Sequence, residues 1–371
     1  MITIFADKHL YKLDSFLPPN VQLNYYDPQN GLPEQMDGID ALLIRTVTKI
    51  DAVSLARIPE SLKFIGTGSA GRDHVDTQLL REKGITFASA AGCNARAVAE
   101  YVATALLIWA DEKSRNLSEC SVGIVGAGHV GSSLKNILGR LNISVVVYDP
   151  PRELRDPHFV SAGIEDVLRT DILTFHTPLT PAGTHPTLNW LDSEKLYGRS
   201  FDLIINTSRG GVVNEQAVLS AHAEGKVKDM IIDVWDGEPV FNDELARRAF
   251  IKTPHIAGYS VQAKLNASRI IAEKLMECFK LSLPDTHAYP QAATQADIPD
   301  SVQSISDALA CIHPILDYQK GLTGLIGTEP PQKRIGFNKL RTGFPLRNEY
   351  AAMDVPDLIL DYYPSLKALF Q

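Results

Sequence analysis

Cysteines at metal-type or redox-type spacing are missing from this chain. Its four cysteines, Cys93, Cys120, Cys278 and Cys311, show no C-x-x-C pair and no regular framework. That argues against a disulfide-stapled domain and a thiolate metal centre, and the four read as reduced thiols packed as small apolar groups. No uninterrupted apolar run approaches the ~18 residues of a membrane helix, so no membrane span is expected. The start, Met1-Ile2-Thr3-Ile4-Phe5-Ala6-Asp7, lacks the basic flank and long apolar core of a signal peptide. No block of Lys or Arg stands out and the formal net charge is −8, which speaks against a nucleic-acid surface. An anionic small molecule is still allowed, because a few local arginines reverse the field inside one cleft. The histidines show no H-E-x-x-H or comparable spacing, so no metal is expected. Repeats and low-complexity tracts are absent too. What is present is an ordinary globular composition, 44% hydrophobic and 22% charged over 371 residues, enough for two or three cores and consistent with a cytoplasmic setting.

Short apolar runs at 2–6, 41–44 and 64–66 read as strands separated by helical stretches, the pattern of an open parallel sheet. Ligands of such sheets lie at the strands' carboxyl ends, where Asp7, Arg45, Thr67 and Gly68 fall. Residues 94–115 read as one long helix, with Val98, Val102, Leu106 and Trp109 at helical spacing, connecting to a second strand series at 122–125, 145–148, 172–175, 203–206 and 230–233. Helices are expected at 132–141, 164–168, 215–223 and 261–281, the last returning to the first lobe. Residues 284–299, rich in Pro, Ala, Gln and Asp, look like a boundary. The tail beyond has helix candidates at 302–313 and 365–370 and a stretch at 335–355 that is either extended or helical. The expectation is an α/β protein of two doubly wound parallel-sheet lobes with a cleft between them, plus a small α+β C-terminal domain. The boundaries read as 1–95 with 258–283 for the substrate lobe, 96–257 for the second lobe and 284–371 for the tail.

The second lobe opens on the run Ser121-Val122-Gly123-Ile124-Val125-Gly126-Ala127-Gly128-His129-Val130-Gly131. Gly126, Gly128 and Gly131 fit the G-x-G-x-x-G spacing between a buried strand and a helix. Gly126 allows the tight turn, Gly128 lets a pyrophosphate approach the backbone N–H groups at the helix start, and Gly131 lets the helix pack close. A second strand ends in Asp149, whose carboxylate accepts from a ribose 2′-OH and repels a 2′-phosphate, which favours NAD over NADP. Asp149 is also the sort of residue that simply ends a strand before Pro150-Pro151.

Three further strand ends carry an arginine, a carboxylate and a histidine: Asn206-Thr207-Ser208-Arg209-Gly210, Asp233-Val234-Trp235-Asp236-Gly237-Glu238-Pro239 and Thr253-Pro254-His255-Ile256-Ala257-Gly258. Arg209 has the fork to grip a carboxylate. A histidine such as His255 is suited to exchange a hydroxyl proton, and a paired Glu238 would orient it and favour its charged form. Singly, each has a plain alternative: a surface arginine, a Glu-Pro turn, a structural histidine.

Together with Phe175-His176-Thr177-Pro178-Leu179-Thr180 and the glycine loop, these segments resemble the D-isomer-specific 2-hydroxyacid dehydrogenases over residues 1 to about 283. The resemblance implies two Rossmann-like lobes and hydride transfer to NAD, with Arg209, Glu238 and His255 as the catalytic trio. It implies that NAD contacts come from Gly126, Gly128, His129, Val130, Gly131, Asp149, Thr177, Thr207, Ser208, Asp233 and Gly258. It implies substrate contacts at Arg45, Thr46, Thr67, Gly68 and Tyr259, with the 67–71 loop amides on the substrate carboxylate. Arg45-Thr46-Val47-Thr48-Lys49, Ala91-Gly92-Cys93-Asn94-Ala95 and the C-terminal extension look like a branch acting on a small phosphorylated hydroxy acid, in which that extension makes a homodimer. A phosphate needs cations, and Lys8, Arg45 and Arg72 are candidates, as are Arg341 or Arg347 reaching in from a partner subunit. The alternatives are a family member acting on phosphoglycerate or glycerate, and a non-catalytic NAD-sensing protein of the same fold.

Overall fold

The computed structural model describes residues 2–282, 294–299, 301–355 and 357–370. The chain divides into two units: one runs through Asn94 and resumes at Ser260, the other begins at Ala95, leaves at Tyr259 and takes in the C-terminal residues. The boundary expected at 284–299 falls largely on residues 283–293, outside the described residues.

The first unit is a five-stranded parallel sheet of β1 (Ile2–Asp7), β2 (Val21–Tyr26), β3 (Ala41–Ile44), β4 (Phe64–Thr67) and β5 (Thr86–Ser89), in the order β2-β1-β3-β4-β5. β3 and β4 are buried throughout, as central strands covered on both faces must be. The edge strands β2 and β5 do not stand out as apolar runs, because an edge strand needs only part of its surface covered; Gln22 is exposed and Asn24 half-buried in β2. The order reverses between β1 and β3, and there the fully buried Asp7 accepts a hydrogen bond from Arg45 Nε at 2.8 Å. The helix Val261–Phe279 starts at Ser260, whose Oγ accepts from the Ala263 N–H at 2.9 Å. It buries Leu265, Ile271 and Leu275 in one core with Ile4, Leu43 and Phe64.

The second unit is a six-stranded parallel sheet of β6 (Ser121–Val125), β7 (Ser144–Tyr148), β8 (Ile172–Phe175), β9 (Phe201–Asn206), β10 (Val227–Ile232) and β11 (Ile251–Lys252), ordered β11-β10-β9-β8-β6-β7. β10 begins three residues before the apolar run at 230, because Lys228 and Asp229 interrupt that run. The charge is satisfied locally: Asp229 accepts from Trp109 Nε1 at 3.0 Å and from Lys113 Nζ at 2.9 Å.

The long helix is Ala95–Glu112, and every residue from Ala97 to Ala110 is buried. An all-round apolar surface needs cover on all sides, and residues of the C-terminal extension supply part of it. Leu309, Ile312, Ile315, Tyr350 and Leu366 share one core with Val102, Leu106 and Trp109. The extension contributes helices Ile305–Ile312, Ile315–Thr323, Pro330–Thr342 and Pro364–Phe370, plus a two-residue parallel pair, β12 (Thr294–Gln295) with β13 (Met353–Asp354). The ambiguous stretch is helical only to Thr342, continuing a helix that opens on Pro330-Pro331, where proline's missing N–H costs nothing, and it is extended at Met353–Asp354. Within that core the buried Glu100 accepts from Arg96 Nε (2.7 Å), Arg347 Nη1 (2.8 Å) and the Tyr350 N–H (3.1 Å). Arg347 also donates to Ala97 O, so this candidate cation is a buried structural partner and not a ligand for phosphate. No described helix is long and apolar enough to cross a membrane.

Candidate active site

The glycine loop sits where the second sheet changes direction, with β7 on one side of β6 and β8 on the other. Gly126 has φ +95°, and a Cβ at Gly131 would lie 2.0 Å from Gly126 O, so only glycine lets helix His129–Arg140 start this close to the strand. A Cβ at Gly128 would meet nothing within 4 Å. Gly128 is also the helix N-cap and has no side chain to occupy the first-turn N–H groups, which leaves them for an anion. Asp149, at the end of β7, is drawn into the loop: its Oδ2 accepts from the Ala127 N–H (2.7 Å) and its Oδ1 from the Arg152 N–H (2.9 Å). Arg152 donates through Nη1 to Ala127 O (2.7 Å) and Ser132 Oγ (2.9 Å), a brace that nothing in the sequence pattern singles out.

Past β8 and β9, the next strands in the sheet, three polar atoms are covered yet have no partner among the described residues: His176 Nδ1, Thr177 Oγ1 and Thr207 Oγ1. Burial holds the His176 imidazole down to about 3, so it stays neutral. Unpaired covered groups at strand ends beside an open glycine loop fit a dinucleotide that supplies the missing partners.

Asn206 ends β9 and staples the next turn. Its Oδ1 accepts from the Ser208 N–H (3.1 Å) and Oγ (2.9 Å), and its Nδ2 donates to Arg209 O (3.0 Å). Arg209 Nη1 donates to Ser208 O at 2.7 Å. A Cβ at Gly210 would lie 1.9 Å from Trp235 O, so the Arg209 turn and the segment leading to Glu238 touch backbone to backbone.

His255 has a left-handed backbone, φ +57°, a conformation that costs a non-glycine residue free energy and has to be held. Asp233 holds it. Its carbonyl accepts from the His255 N–H at 2.7 Å, and its buried carboxylate accepts from Ile256 N–H (2.8 Å), Ala257 N–H (3.0 Å) and Thr253 Oγ1 (2.6 Å). Thr253 in turn pairs with Tyr101 on the buried helix at 2.6 Å. Burial raises the Asp233 carboxyl above its usual range against the opposing pull of the His255 charge and these hydrogen bonds. Thr253 and Tyr101 are supports that sequence reading misses, since neither sits in a charged pattern.

The ring of His255 meets Glu238 at 2.6 Å, Nδ1 to Oε1, and Glu238 Oε2 takes the Trp235 N–H at 3.3 Å. Burial pushes the Glu238 carboxyl up, but the His255 charge and hydrogen bond outweigh it and leave it below the ordinary value. An ionised carboxylate only accepts, so His255 Nδ1 is the donor in this bond and Nε2 is the ring nitrogen left for a substrate. In the first unit, Thr67 Oγ1 ends β4 within 2.7 Å of Ser69 Oγ and 2.9 Å of His74 Nε2, and the Gly68 N–H donates to Ile44 O. Lys8 is paired with Asp27 at 2.5 Å. Among the described residues no group of three His, Cys, Asp or Glu side chains is placed to hold a metal ion.

A parallel sheet with a pyrophosphate loop at its switch point and an oriented histidine–carboxylate pair at its carboxyl edge is the apparatus of a nicotinamide-dependent oxidoreductase. The D-isomer specific 2-hydroxyacid dehydrogenase NAD-binding-domain model matches residues 94–257. The chain is 34% identical to the erythronate-4-phosphate dehydrogenase of Marinobacter nauticus, over 95% of this chain and 94% of that one. It is 36% identical to that of Proteus mirabilis, over 88% of each. Among solved structures the fold matches a D-lactate dehydrogenase from Aquifex aeolicus complexed with NAD and lactic acid, with TM-score 0.59 at 21% identity, over 77% of this chain and 100% of that one. A formate dehydrogenase from Staphylococcus aureus in complex with NAD gives 0.60 at 20%, over 77% and 98%. The chain belongs to the D-isomer-specific 2-hydroxyacid dehydrogenase family and is an NAD-dependent dehydrogenase.

Proposed function

We propose that this protein oxidises 4-phospho-D-erythronate to its 2-oxo acid with NAD, and so serves vitamin B6 biosynthesis. The observation that carries the reading is the match to erythronate-4-phosphate dehydrogenases along 95% of the chain, against the 77% spanned by the lactate and formate enzymes. The similar full-length relatives do not favour the phosphoglycerate, glycerate and non-catalytic readings. NAD, when bound, would supply the acceptor for the hydride that leaves C2. His255 Nε2 takes the C2 hydroxyl proton, and Glu238 holds the ring through Nδ1 and stabilises the imidazolium that results. Arg209 and the amides of the 67–71 loop take the substrate carboxylate, and Arg45, Thr46 and Tyr259 add substrate contacts. Gly126, Gly128, His129, Val130 and Gly131 would hold NAD, with Asp149 for its ribose. Thr177, Thr207, Ser208, Asp233 and Gly258 would supply further contacts. The protein works in the cytoplasm, its four thiols reduced, as a homodimer made through the C-terminal extension.

The test is NADH formation with 4-phospho-D-erythronate, D-erythronate, 3-phosphoglycerate and D-glycerate, run with and without a 2-oxo acid acceptor so that slow release of NADH is not mistaken for inactivity. Strong preference for the phosphorylated four-carbon acid is expected. Preference for another acid would discard the substrate and keep the chemistry, and sedimentation at micromolar concentration reads the dimer.

A further inference from the structure

Helix Pro330–Thr342 carries Lys333, Phe337 and Arg341 at positions i, i+4 and i+8, one stripe along a single face. Lys333 is buried, donates to Asp243 Oδ1 (2.6 Å) and Phe241 O (3.4 Å), and lies over the Phe241 ring at 4.7 Å. Phe337, also buried, packs on the same ring at 6.2 Å, and that ring packs on Trp235 at 5.3 Å. The stripe therefore runs along the 235–243 segment, which contains Glu238. Just beyond the helix, Phe344 stands edge-on to Tyr259 at 5.8 Å. Arg341 lies between these anchors, on the last turn of the helix.

Its covered guanidinium differs from the exposed Arg72 and from the three paired cations considered. Lys8 is paired with Asp27, Arg45 with Asp7, and Arg347 with Glu100. Arg341 makes no ion pair among the described residues, and its Nε is covered without a hydrogen-bond partner. A covered, unpaired guanidinium N–H is costly and calls for an acceptor. Glu238 does not fill that role: Arg341's charge reaches its carboxyl, but with a smaller effect than burial and the histidine have.

The proposed substrate has two anionic ends, and its carboxylate is already assigned to Arg209 and the 67–71 loop. Resting on that reading, we propose that Arg341, supplied by the C-terminal extension of the same subunit, is a specificity-determining residue that donates to the distal phosphate. The extension then selects substrate as well as covering the buried helix.

The experiment compares Arg341→Met and Arg341→Lys with wild type on 4-phospho-D-erythronate and on D-erythronate, recording kcat, KM and the pH profile. NADH binding and the melting temperature report folding. For Arg341→Met the expected result is a loss on the order of a hundredfold in kcat/KM for the phosphorylated acid, mostly in KM, with D-erythronate turnover and the pH profile little changed. Arg341→Lys keeps the charge without the fork and recovers part of the loss; it carries the same comparison should the methionine variant melt early. Equal losses on both acids, or a displaced pH profile, would overturn the proposal and make Arg341 a support of Glu238. A wild-type enzyme with no preference for the phosphorylated acid sinks the substrate reading itself, and that is seen before any variant is made.

Discussion

At the scale of single residues, the site works by assigning each polar atom one task. His255 is held in a left-handed backbone by Asp233 and aimed by Glu238, so its Nε2 is the one ring atom left for proton transfer. His255→Ala is expected to lower kcat by about 10²–10⁴-fold, the usual worth of general acid–base catalysis. NAD affinity, read by quenching of protein fluorescence, should stay within about twofold if the glycine loop is the cofactor's main hold, as proposed. A kcat near wild type would remove His255 from the chemistry. The glycines divide in the same way. Gly131→Ala drives a methyl into Gly126 O and should cost about 1–3 kcal/mol of stability. Gly128→Ala meets open space, so its melting temperature should hold while NAD affinity falls. If both variants lose stability alike, the open space at Gly128 does not belong to the ligand.

At the scale of elements, the decisive one is the Ala95–Glu112 helix. A sequence of alanines and large apolar residues shows a helix, but not what covers it. Here the cover includes the C-terminal extension, pinned by the buried Glu100–Arg347 pair. Removing Arg347 leaves the buried Glu100 with Arg96 and the Tyr350 N–H alone, so Arg347→Met should destabilise the protein by about 1–3 kcal/mol in urea titration. The double variant Glu100→Leu with Arg347→Met should recover much of that loss. A double variant as weak as the single one would mean that the pair's charges are not what the extension depends on. Among the elements that sequence reading misses are the edge strands β2 and β5 and the front of β10. Each is short of apolar residues because its surroundings ask for few, or because Asp229 finds Trp109 and Lys113.

At the scale of the whole molecule, acid should unfold this protein earlier than its carboxylates alone require. His313 is buried among the rings of Tyr101, Tyr318 and Tyr350, and burial together with the Arg347 charge holds it well below its ordinary 6.5. The folded state therefore binds fewer protons than the unfolded chain below pH 6.5. Stability is full above that value and declines as the pH falls, by up to about 1.4 kcal/mol per pH unit for one such group. His176, neutral in the fold but only partly covered, adds in the same direction with a smaller weight. Urea midpoints at pH 7.5 and 5.5 should differ accordingly, and His313→Gln should flatten the difference. An unchanged slope in that variant would show that His313 is protonated in the folded state.

The central strands of both sheets, the glycine loop, and the location of Arg209, Glu238 and His255 after strands are legible in the sequence alone. Apolar runs and turn residues act over a few positions and need no distant partner. Which arginine is free was decided only by tertiary structure. Arg45, Arg341 and Arg347 read alike as cations near loops, yet one is paired across a switch point, one is unpaired and one is buried on Glu100, 247 positions away in sequence. A charge takes its role from what folding brings beside it, and that partner leaves no mark on the neighbouring residues.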